Sequence, residues 1–155
     1  GNKGASNYVV SRFGKDSVQA IQSATSYLDI ILFSEAIGKL HSELDTLYNT
    51  TTDMEDKKSK KIQIIESHKK YFRENILPKM LTYNYKWWPS SNINNSSIIS
   101  NLVYYQDLKL YDELFSVMDS DLKKMIKFIK DLQNNKDIKD YEIYIADWIK
   151  YKTRN

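Results

Sequence analysis

The sequence has 155 residues, no cysteine, four glycines and two prolines, a length that fits one domain. The missing cysteine excludes disulfide scaffolds, thiolate zinc sites, iron–sulfur clusters and cysteine nucleophiles, and so few glycines and prolines argue against turn-dense all-β folds and glycine-rich phosphate loops. A net charge of +3 is too mild for the concentrated basic face of a nucleic-acid-binding protein.

Residues 1–15 hold three of the four glycines and show no stable period, so they are expected to form a flexible arm or a short first helix. The chain opens Gly1-Asn2-Lys3-Gly4 without methionine, which reads as a processed or truncated N-terminus. Residues 16–155 are expected to form a single helical-bundle domain. Asp16 or Ser17 is placed to cap a long helix to about Tyr48, because a short polar side chain there accepts from a free first-turn N–H. Along it Val18, Ile21, Leu28, Leu32, Ala36, Leu40, Leu44 and Leu47 recur mostly at three or four residues, the helical period. Tyr27–Phe33 is apolar nearly all round, interrupted by Asp29. If buried, Asp29 needs a hydrogen-bonding partner, and a Tyr or Lys of another helix is the expected one. Gly38 in the same helix either allows close helix contact or is a tolerated defect.

The polar run Asn49–Thr52 breaks the helix, and Thr52 with Glu55 has the capping-box spacing. A second helix, from about Asp53 to Tyr85 or Trp87, carries the stripe Ile62, Ile65, Phe72, Ile76, Met80, with a kink expected at Pro78. After the loop Pro89–Ser97, a third helix spans about Ile98–Met118, a fourth follows an Asp119–Ser120 cap, and a fifth begins near Asp137. The fold class is therefore all-α: an up-and-down helical bundle of four to five helices with two long N-terminal helices.

The search for catalytic spacing is negative. His41 and His68 have no second histidine at i, i+4, and neither Glu-x-x-His pairs nor Gly-x-Ser-x-Gly occur. No cofactor and no metal are expected. Tyr83, Tyr85, Trp87 and Trp88 crowd together before Pro89, with Tyr104 and Tyr105 after the loop. They form either a lid over the core or a recognition patch, since Trp and Tyr dominate binding hot spots. Lys57, Lys58, Lys60 and Lys61 make a less favoured second site, their ordinary role being a solvated face.

These features point to a non-enzymatic binding domain. Lysine-, asparagine-, isoleucine- and tyrosine-rich composition suggests an AT-rich genome, and the chain reads as a surface-exposed or secreted pathogen protein contacting a host factor, extracellular or at the cell surface. The alternatives are a membrane-interacting bundle and an adaptor that holds a protein on a helix face. The expected partner is a protein, with an anionic membrane or glycan surface as second choice. Neither nucleic acid nor a small-molecule substrate is expected.

Overall fold

The computed structural model describes residues 2–154 except Tyr83 and Gln106; the side chains of Asn2, Lys3, Tyr104 and Tyr105 also lie outside the described residues. Every regular element among the described residues is helical, in agreement with the all-α bundle with long N-terminal helices. The chain divides into two compact units, Gly1–Gln106 and Asp107–Asn155.

In the first unit, α1 (Asn2–Phe13) packs on α2 (Val18–Thr50), which also contacts α3 (Met54–Tyr71) and α4 (Asn95–Tyr105). Gly14, at φ +87°, makes the turn out of α1, a conformation that strains residues with a Cβ. Ser17 caps α2, its side chain accepting from the Ala20 N–H. Phe33, Ala36, Ile37, Leu40, Leu44 and Leu47 form the buried face of α2. Val18, Ile21 and Leu28 are exposed, although their spacing fits the same stripe. A Cβ at Gly38 would meet nothing within 4 Å, so close helix contact is not its reason. No helix of the described residues is long and apolar enough to cross a membrane.

Asp53, rather than Thr52, caps α3 by accepting from the Asp56 N–H. The helix is also shorter than its apolar stripe suggests. It ends at Tyr71, passes through a π turn over Phe72–Ile76 and a 3₁₀ turn over Leu77–Lys79, and is extended at Met80. Pro78 has no N–H to continue an α ladder, and its ring excludes the carbonyl four residues back. A second 3₁₀ turn, Trp88–Ser90, is held by Arg73 Nη1 donating to the Pro89 carbonyl at 3.2 Å.

In the second unit, α5 (Leu108–Val117) contacts α6 (Leu122–Gln133) and α7 (Tyr141–Arg154) around Leu114, Met118, Leu132, Ile145 and Ile149. The third helix of the sequence reading is thus two, α4 and α5, with Asp107 in the left-handed region at φ 56° before α5. Asp119 and Ser120 also have positive φ, so the α6 cap falls to Asp121, whose carboxylate accepts from the Lys123 and Lys124 N–H groups.

Candidate functional site

The first unit is organised around Phe33. Its ring stacks on Tyr85 at 4.2 Å between centroids and meets Trp88 edge-on at 5.3 Å and Phe72 edge-on at 6.0 Å. Trp88 is fully buried and Tyr85 is buried, so both belong to the core lid; Trp87 is 52% exposed. Tyr83 lies outside the described residues. The aromatic cluster therefore presents Trp87, not Trp88 or Tyr85, to solvent.

Trp88 Nε1 donates to His68 Nε2 at 3.0 Å, wholly within the interior. An indole N–H only donates, so Nε2 is the unprotonated nitrogen and the ring proton resides on Nδ1. Burial, and secondarily the positive charge of Lys39, lower the His68 pKa from 6.5 to about 4. His68 is thus a neutral imidazole at physiological pH, aimed by a core residue.

Above His68, α2 and α3 leave a small cleft of about 120 Å³ lined by Lys39, Glu43, Ser67, His68 and Tyr71. Lys39 and Glu43 sit at i, i+4 on α2, where opposite charges often pair. Here the Lys39 Nζ lies instead 4.5 Å from the centroid of the Tyr71 ring, a cation–π contact. Sequence reasoning passed over this group because its members are far apart in the chain; the i, i+4 Lys–Glu pair on the helix facing His68 was the available signal.

Asp29 is fully buried and anchors the segment after Pro78. Its carboxylate accepts from the Leu81 N–H at 2.8 Å, from the Thr82 N–H at 2.7 Å and from the Thr82 hydroxyl. Its partners are therefore backbone and threonine groups, not the Tyr or Lys of another helix. Three donors satisfy the charge where water cannot reach it.

The lysines at the start of α3 are engaged locally. Lys58 pairs with Glu55 and Lys60 with Asp56, each at 2.7 Å. Lys57 reaches the Tyr48 carbonyl at 3.3 Å, and Lys61 is half-buried beside them. Two of the four lysines are thus paired with carboxylates of the first turn of the same helix.

The second unit carries a more open groove of about 640 Å³. Tyr144, Trp148 and Tyr151 supply aromatic wall, and Asp137, Asp140 and Asp147 supply carboxylates. Two of these are already engaged, Asp140 with the Ile143 N–H and Asp147 with Lys150. The three-and-four spacing 140, 144, 147, 151 was the signal for this face of α7. Among the described residues, no three His, Cys, Asp or Glu side chains come together to hold a metal ion.

A family model described as “Putative aminopeptidase” matches residues 1–143. The chain belongs to this family. The membership overturns the reading as a non-enzymatic interaction module, because the family points to a catalytic role. Local spacing missed this because the similarity is spread along helices that contain none of the short catalytic motifs sought. No curated protein and no solved structure matches the chain. The match ends within the lining of the α7 groove, whose Tyr144, Asp147, Trp148 and Tyr151 lie beyond it.

Proposed function

We propose that this protein is an aminopeptidase, hydrolysing the peptide bond after the first residue of a peptide with a free amino end. The observation that supports the reading is the family match over residues 1–143. Hydrolysis needs an activated water or nucleophile beside the scissile carbonyl. Among the described residues the donor sets do not meet that need. No three metal-ligating side chains converge among the described residues, and the buried His68 spends Nε2 on Trp88.

The test is hydrolysis of a panel of unblocked aminoacyl-coumarin amides by the full-length gene product, with N-acetylated counterparts as controls. Release from unblocked substrates alone is the expected result. No release from any of them, or equal release from the blocked ones, overturns the proposal.

A further inference from the structure

His68 is 5% exposed, and its Nε2 is taken by Trp88. The proton on Nδ1 has no partner among the described residues. Since among the described residues no fully buried side-chain nitrogen or oxygen lacks a partner, Nδ1 is not fully buried, and the cleft is a space that His68 lines. The cleft thus has a neutral histidine in its lining, its Nε2 held by Trp88. On the α2 wall stand a cation, Lys39, drawn over Tyr71, and an anion, Glu43, one helical turn further on.

A simple anion gains from Lys39 and His68 but faces Glu43. A simple cation has the reverse problem. A ligand carrying both charges a few ångströms apart satisfies all three groups. The volume, about 120 Å³, lies well below the ~300 Å³ lower end for drug-sized ligands, so only a few heavy atoms enter.

We infer that this cleft binds a small free α-amino acid, such as glycine or alanine, with its carboxylate on Lys39 Nζ and His68 Nδ1–H and its ammonium on the Glu43 carboxylate. The charges in the cleft carry the ligand class. Only the further step, that the bound amino acid is a reaction product, rests on the aminopeptidase reading, since that reaction releases a free amino acid.

Titration of the purified chain with glycine and L-alanine, followed by the His68 and Trp88 side-chain resonances, is expected to give saturable shifts with a Kd on the order of 1 mM. N-acetylglycine, which lacks the ammonium, and glycinamide, which lacks the carboxylate, should each bind at least about tenfold more weakly, as loss of a charge-assisted hydrogen bond requires. Glu43→Gln and Lys39→Met are solvent-side changes that leave the His68–Trp88 bond in place, and each should weaken glycine binding by about tenfold. No saturable shift at ~50 mM glycine, far above the expected Kd, overturns the site. So does acetate or N-acetylglycine binding as well as glycine, or either variant binding glycine as wild type does. Glycine binding in a protein that hydrolyses no peptide overturns the aminopeptidase reading and leaves the site standing; hydrolysis without glycine binding does the opposite.

Discussion

The Trp88 indole, 20 residues along the chain from His68, donates its N–H to the His68 Nε2 at 3.0 Å in the interior of the first unit. This contact ties the 3₁₀ turn before the loop to the end of α3. It also fixes the imidazole tautomer that faces the Lys39–Glu43 cleft.

Trp88 and Trp87 are neighbours in sequence with opposite roles. Trp88→Ala removes a fully buried ring and orphans His68 Nε2, so it should destabilise the fold by ~3–5 kcal/mol. Trp87→Ala removes an exposed ring touching Trp88 edge-on and should cost about 1 kcal/mol or less. Thermal melts of the two variants check this; equal losses would contradict the opposed placement.

Acid should destabilise the first unit through His68. Its folded pKa, about 4, lies below the ordinary 6.5, so the unfolded chain takes up the proton first as pH falls. The stabilisation is complete above the unfolded pKa and is lost progressively between 6.5 and about 4, by at most about 3 kcal/mol. Urea unfolding at stepped pH measures it. His68→Gln should be less stable at neutral pH yet show a flatter decline through this window, and a slope unchanged in that variant would remove His68 as its source.

Asp29→Ala strands the Leu81 and Thr82 N–H groups and the Thr82 hydroxyl. The expected cost is ~3 kcal/mol or more, since hydrogen bonds to a charged group contribute roughly 1.5–3 kcal/mol each. Thr82→Val removes one of the three bonds and should cost about half as much. Chemical denaturation of both variants, with hydrogen exchange at Leu81 and Thr82, tests the ranking.

Lys58→Ala and Lys60→Ala should each change stability by about 0.5 kcal/mol or less, because both ion pairs are exposed and screened. A larger loss in either would mean that the start of α3 is held by more than its own helix.

Local chemistry was enough for the helical character of the chain, for a cap of α2 at Asp16 or Ser17, of which Ser17 is the one used, and for the break before α3. A 3.6-residue period and a capping hydroxyl act over one turn, so a single strand of sequence records them. The end of α3 was half legible: Pro78 announces an interruption, but the π and 3₁₀ turns depend on how Phe72 and Ile76 enter the core. What no local pattern records is which side of a segment faces inward. Trp87 and Trp88 differ in position by one residue, and the core around Phe33 decides that Trp88 enters. Asp29 finds its donors 52 and 53 residues away. The cleft at His68 exists only because α2 and α3 pack side by side, bringing Lys39 and Glu43 over a histidine that the sequence shows as isolated. Helix formation is decided by neighbours within a turn, whereas the burial of a charge, the choice of tautomer and the assembly of a cleft are decided by the groups that tertiary packing brings up to exclude water.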